Sequence, residues 1–214
     1  MTTLRQEYDE NGYCIARNAI DAQLASEMVE HVHWLCDRHP DVRPERLGHG
    51  LMVNDPFMHR LVRDDRLVDI AAQFLGPNVA MFAAHYIAKR PATGQAVQWH
   101  QDGSYWPLEP MDVATLWVAG TESTIGTGCM RVLPGTQNRR LLKRSEMVAL
   151  DPDKYVLGVG MRSDDIDDGD AVNIELRAGD VSIHNPTIIH GSNANTSDHW
   201  RVGLTLRYIP TTTK

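Results

Sequence analysis

The chain has 214 residues, 42% of them hydrophobic and 23% charged, which suits one well-buried soluble domain and is short for two. A formal net charge of −7 would repel a polyanion, so nucleic-acid binding through the whole-molecule field is disfavoured and a neutral or cationic small molecule fits better. No basic stretch leads into an apolar one at the N-terminus, no apolar run nears the roughly 18–20 residues of a membrane span, and Cys14, Cys36 and Cys129 form no C-x-x-C pair; the expectation is a cytoplasmic protein with reduced thiols, no leader and no membrane partner.

Residues 1–78 read as mostly helical, with short extended pieces. A helix begins at Asp21, carries Leu24, Met28, Val32 and Leu35 on one apolar face, and ends before Pro40. His31, His33 and His39 lie near it but on different faces, and are expected at the surface. A second helical piece, 67–75, stops at Gly76-Pro77. From 79 to 210 the character changes to short β-prone runs at 79–88, 96–100, 113–119, 130–133, 171–175, 180–184 and 200–209, punctuated by turn residues. In the last run Trp200, Val202, Leu204, Leu206 and Tyr208 share one face, and Arg201, Gly203, Thr205 and Arg207 share the other. An apolar outer face over a small or polar inner face suits a barrel that holds a ligand. The predicted fold is mainly β with flanking helices, a double-stranded β-helix (jelly roll, cupin-like) forming a single domain over 1–214.

The segment Gln98-Trp-His-Gln-Asp-Gly103 places His100 and Asp102 two residues apart. On an extended chain such residues project from the same face with Cα atoms about 6–7 Å apart, so both can reach one metal ion. A third ligand would complete a two-histidine, one-carboxylate triad with open positions, and His190, close to a strand end, is the best candidate. An H-x-D pair alone is frequent by chance, and a lone strand histidine is more often a hydrogen-bonded residue than a ligand. Arg201 adds weight. A guanidinium on the inward face beside Gly203 and Thr205 is costly to bury without an anion, and Arg grips a carboxylate in bidentate fashion. The distal carboxylate of 2-oxoglutarate is such a partner, with Ser192 able to donate a hydroxyl hydrogen bond to it; an internal Asp or Glu is the alternative.

These residues resemble the phytanoyl-CoA dioxygenase family of iron(II)/2-oxoglutarate oxygenases. The resemblance runs from Gly12-Tyr13 to Arg207-Tyr208, and its most specific portions are His100-Gln-Asp-Gly-Ser-Tyr-Trp-Pro107, Gly128-Cys-Met-Arg-Val-Leu-Pro-Gly135, and Gly179-Asp-Val with His190-Gly-Ser192 and Arg201. It implies that His100, Asp102 and His190 take the iron positions, Arg201 and Ser192 the co-substrate carboxylate positions, and Trp117 the aromatic wall of that pocket. Thr136-Gln137 stands where the family often has Ser-His, and no feature specific to a coenzyme A thioester stands out, so phytanoyl-CoA is not carried over. Relatives that halogenate have Gly or Ala in place of Asp102; halogenation is therefore not expected.

The resemblance implies an oxidoreductase using Fe(II), 2-oxoglutarate and O2, in which decarboxylation to succinate and CO2 drives oxidation of a C–H bond, by hydroxylation or oxidative cyclisation, in a small molecule. A secondary metabolite, including an aminosugar-containing one, is the class favoured. Tyr105, Trp106 and the insert 137–170 are expected to wall the substrate. The insert's acidic run, 164–170, is out of register for a calcium loop and reads as a solvated hairpin. Two rivals stand: a cupin-like metal-dependent isomerase or epimerase that does not use O2, and a non-catalytic binding relative.

Overall fold

The computed structural model describes residues 2–214. In chain order the elements are α1 (Leu4–Asn11), β1 (Tyr13–Ala16), α2 (Ala22–Arg38), α3 (Pro56–Leu61), α4 (Asp65–Leu75), β2 (Val79–Tyr86), β3 (Val97–His100), β4 (Ala114–Ala119), β5 (Met130–Val132), β6 (Val148–Ala149), β7 (Val159–Gly160), β8 (Val172–Ile174), β9 (Val181–His184), β10 (His190–Ser192) and β11 (Gly203–Pro210). A five-stranded sheet runs in the order β1-β9-β4-β11-β2, and a four-stranded sheet in the order β3-β10-β5-β8; every pairing within them is antiparallel. This is the expected mainly β jelly roll with helices on its outside.

The helices form where their caps and apolar stripes direct. The Asp21 carboxylate accepts a hydrogen bond from the Leu24 backbone N–H at 2.8 Å and starts α2, whose Leu24, Met28, Val32 and Leu35 are all buried. Asp64 caps α4, which buries Leu67, Ile70 and Phe74 and ends at Gly76. These side chains pack with Leu116 and Val118 of β4, Ile183 of β9 and Leu204, Leu206 and Tyr208 of β11 in one apolar cluster. A second, smaller cluster lies between the sheets, with Trp117 from one and Met130, Val132 and Ile174 from the other. The alternation along β11 therefore separates two environments: a helix-covered exterior and a polar-lined interior.

Three expectations need correction. The jelly roll is not confined to 79–210, because β1 pairs with β9 and forms an edge of the larger sheet. His31 is buried, not at the surface: its Nδ1 lies 3.1 Å from the Tyr86 hydroxyl and its Nε2 3.1 Å from Asp55. His31 follows Met28 by three residues and precedes Leu35 by four, so it shares their buried face, where both ring nitrogens find polar partners. The acidic run 164–170 is largely exposed, as expected, but it is no hairpin; a short 3-10 turn at Ser163–Asp165 leads into a loop before β8. The hairpin of this insert is the β6–β7 pair.

Candidate metal centre

His100 ends β3, and Gln101 stays extended (φ −116°, ψ 122°), so Asp102 projects to the same side as His100 before the chain turns into a 3-10 helix. Gln101 points the other way and anchors the turn: its amide donates to the Thr187 carbonyl at 2.7 Å and its carbonyl accepts from the Leu142 N–H at 2.9 Å. β10 brings the third residue. His190 is the direct cross-strand partner of His100, and the two imidazole centroids are 4.1 Å apart.

The ligand atoms of His100, Asp102 and His190 lie within 4.8 Å of one another, and all three residues are buried. The Nδ1 of His100 faces the Gln98 carbonyl at 2.8 Å, and that of His190 faces the Ile188 carbonyl at 3.1 Å. Each Nδ1 can donate to its carbonyl, which fixes the ring and leaves both Nε2 atoms as metal donors. Burial, and then the neighbouring His100 and His184, depress the pKa of His190 well below its ordinary value, keeping it neutral. Burial works against ionisation of Asp102, but the Arg207 charge and the imidazoles of His100 and His184 outweigh it and hold the carboxyl well below the usual range. Neutral imidazoles and an ionised carboxylate are the donor states a divalent metal requires. The donor set fits ferrous iron, and three protein ligands would leave coordination positions free for co-substrate and O2.

The triad lines a cavity of about 330 Å³ that also contains Arg201, Ser192, Trp117, Tyr105 and Trp106. Arg201 is 1% exposed. It donates to the carbonyls of Gly128 and, at 2.9 Å, Ile87, while its buried Nε has no partner. Its guanidinium lies 5.2 Å from the centre of the Trp117 ring. That approach needs Gly203, since a side chain there would overlap the indole. No described carboxylate pairs with Arg201, and burial lowers its pKa to about 10. Ser192 accepts a hydrogen bond from the Lys89 Nζ at 2.8 Å, so its own proton is free for a ligand.

The sequence reading passed over several residues here. Lys89 is fully buried beside Arg201, to which it is bonded through both backbone amides. His184 lies 4.7 Å from His190, with its Nε2 3.8 Å from Asp102 Oδ2 and neither ring nitrogen within hydrogen-bond distance of a partner. His85 and Arg207 also face the cavity. Arg207 had a visible signal, the same inward register as Arg201; Lys89, at the end of an apolar run, had none. Of the insert 137–170, Val156 and Leu157 line the cavity, whereas the acidic run does not.

Comparison with known proteins accords with this geometry. A profile of the phytanoyl-CoA dioxygenase (PhyH) family matches residues 8–203. A probable phytanoyl-CoA dioxygenase of Caenorhabditis elegans is 25% identical over 236 residues, covering 95% of this chain and 73% of the relative. A Dictyostelium discoideum homologue of phytanoyl-CoA dioxygenase domain-containing protein 1 is 27% identical over 179 residues, and the chain spans only 60% of its length. Among solved structures, the apo form of the non-heme monooxygenase ThoJ has a TM-score of 0.82 at 23% identity, covering 99% of this chain and 79% of that one. The epimerase SnoN in complex with Fe3+, alpha ketoglutarate and nogalamycin RO has a TM-score of 0.75 at 21% identity, with coverages of 98% and 83%. The structural likenesses establish the fold, and the profile establishes the lineage: the chain belongs to the phytanoyl-CoA dioxygenase (PhyH) family, the iron(II)- and 2-oxoglutarate-dependent oxygenases that its motifs resemble.

Proposed function

We propose that this chain is an oxygenase that couples decarboxylation of 2-oxoglutarate to oxidation of a C–H bond in a small molecule, with His100, Asp102 and His190 holding iron(II). The observation that carries this reading is Arg201: a buried guanidinium, unpaired with any described carboxylate, in the same cavity as the triad. A metal-dependent isomerase would have no use for that charge, and the intact metal triad counts against a non-catalytic binding relative. Bound iron would supply activation of O2; the residues of the chain do the rest. Arg201 and Ser192 grip the distal carboxylate of 2-oxoglutarate, and the Trp117 ring walls its carbon chain. Lys89 holds Ser192 from behind. Tyr105, edge-on to His100 with centroids 6.0 Å apart, ties its hydroxyl to the Val159 carbonyl at 2.7 Å and so fixes the β6–β7 hairpin over the mouth. Tyr105 and Trp106 flank the open side of the triad, where the prime substrate sits and water is excluded.

Hydroxylation consumes one O2 and one 2-oxoglutarate, and releases succinate, CO2 and the alcohol; oxidative cyclisation uses the same equivalents. A secondary metabolite remains the preferred substrate class, in line with the nogalamycin compound bound to SnoN. The aminosugar alternative loses its motive, because the acidic run stands clear of the cavity. Anaerobic addition of iron(II) and 2-oxoglutarate tests the proposal. A weak visible charge-transfer band, followed in air by succinate, is expected; no band and no succinate would refute it.

A further inference from the structure

Among the residues that line the cavity only three are charged at neutral pH: Asp102, Arg201 and Arg207. Arg201 and Arg207, six residues apart in the chain, both line the cavity that holds the triad. If 2-oxoglutarate binds as proposed, its two carboxylates are both engaged, one at Arg201 and one at the metal. None is left for Arg207.

Within the protein Arg207 forms only a loose ion pair with Asp102 and one hydrogen bond. Its Nε and Nη2 lie 3.4 Å from Asp102 Oδ2, outside the roughly 2.7–2.9 Å of strong charge-assisted bonds. Nη1 donates to Thr205 Oγ1 at 3.1 Å. The guanidinium is 5.1 Å from the centre of the Trp106 ring, which in turn packs edge-on to Phe82 with centroids 5.6 Å apart. An aromatic platform of this kind holds the plane of the fork while leaving donors available. Charge balance points the same way. Two guanidiniums, a divalent iron and one carboxylate leave three positive charges; 2-oxoglutarate neutralises two, and one remains. Arg144, 6.0 Å from the Tyr105 ring centre, adds a further cation near the rim.

We infer that Arg207 is the specificity residue of this site: its guanidinium, seated on Trp106, binds an oxyanion of the prime substrate, which is a small organic acid. The inference rests on the oxygenase reading and deepens it. A cavity of about 330 Å³ must hold both co-substrate and substrate, which places it at the small end of ligand sites and favours a compact acid. The geometry reverses the inference from net charge, which favoured a neutral or cationic molecule. The whole-molecule charge is negative, but the cavity is not.

The test uses the metal- and 2-oxoglutarate-loaded chain under anaerobic conditions, reading the charge-transfer band as each probe is titrated. Two matched sets serve as probes: hexanoate, hexanamide and hexylamine; and 3-phenylpropionate with its amide and amine. 2-Phenylethylphosphonate separates carboxylate from phosphonate recognition. The acids should perturb the band at concentrations about tenfold or more below those needed for the amides and amines. Arg207→Gln should abolish that preference, and Arg207→Lys should keep part of it. Amides or amines that bind as well as acids, a preference that survives Arg207→Gln, or no response to any acid would overturn the inference. The comparison among probes in the unaltered chain needs no variant, so it stands even if Arg207→Gln folds poorly. Absence of the band before any probe is added would refute the oxygenase reading itself, a failure distinguishable from the others.

Discussion

Replacing Arg201 with methionine separates what a buried charge does for stability from what it does for binding. In the metal-free chain the guanidinium is 1% exposed and has no carboxylate partner among the described residues, so its burial costs several kcal/mol of desolvation. Against that stand the hydrogen bonds to Gly128 and Ile87, of about 1 kcal/mol each, and the contact with Trp117, of about 1 kcal/mol. Methionine fills most of the volume, and Gly128 keeps the Lys89 Nζ as a donor at 3.3 Å. The opposing contributions nearly cancel, so urea denaturation of the metal-free Arg201→Met chain should give a stability within about 1–2 kcal/mol of the parent. Binding should respond quite differently. Removing one partner of a buried charged pair costs about 2–5 kcal/mol, which is a rise of roughly 30-fold to several thousand-fold in the 2-oxoglutarate dissociation constant. Iron binding should change little. The assay is a titration of 2-oxoglutarate into the iron-loaded chain, followed at the charge-transfer band. A variant that loses more than about 3 kcal/mol of stability while binding 2-oxoglutarate normally would show that Arg201 is a structural strut and would refute the reasoning.

His190→Ala removes a metal donor outright and should weaken iron binding by more than the roughly 100-fold that loss of an outer-shell partner can cause; an iron titration that matches the parent would disprove its role. Gly203→Ala should displace the Trp117 ring, costing about 1–3 kcal/mol of stability by overpacking and lowering 2-oxoglutarate affinity, with iron affinity retained; unchanged thermal unfolding would contradict the close approach. Burial, and then the charge of Arg207, push the His85 pKa down to about 4. Because the unfolded chain takes up this proton first, near pH 6.5, the stabilisation is complete above that pH and is lost as pH falls towards 4, by up to roughly 3 kcal/mol. The stability difference between the metal-free parent and His85→Gln, measured from pH 7.5 to 4.5, should therefore shrink across this window; a constant difference would exclude the linkage.

The parts of the fold that were legible in the sequence are those governed by local periodicity. The stripe of α2, the Gly76 stop of α4 and the alternation of β11 are each written within one segment, and each took the expected place. β1 and β10 are four and three residues long, too short for a period to declare itself, and they exist because neighbouring strands supply their hydrogen bonds. The candidate site divides in the same way. His100 and Asp102 are legible because an extended chain puts alternate residues on one face. That His190 lies opposite His100 is a matter of strand register, on which the sequence is silent. Lys89 is less legible still: nothing local marks a lysine as fully buried, and its environment comes from Gly128, Ser192 and Asn193, which lie more than 35 positions away.

β11 shows why the fold and the proposed chemistry cannot be varied independently. Its outward residues, Leu204, Leu206 and Tyr208, complete the apolar cluster under the helices, and the Tyr208 hydroxyl donates to the Val62 carbonyl at 3.0 Å. Its inward residues, Gly203, Thr205 and Arg207, make room for Trp117 and line the site. Because the side-chain period of a strand is two, a slip of one residue would turn Arg207 towards the helices and leucines towards the triad. Burying the guanidinium in that apolar layer would cost several kcal/mol, and the leucines would forfeit about 2 kcal/mol each of burial. The burial of the outer face therefore locks the register, and the same register aims Arg207 at the open side of the triad. Selection for a packed exterior and selection for a charged interior act on alternate residues of one strand, so its outer leucines are as necessary to the proposed site as the charges they never touch.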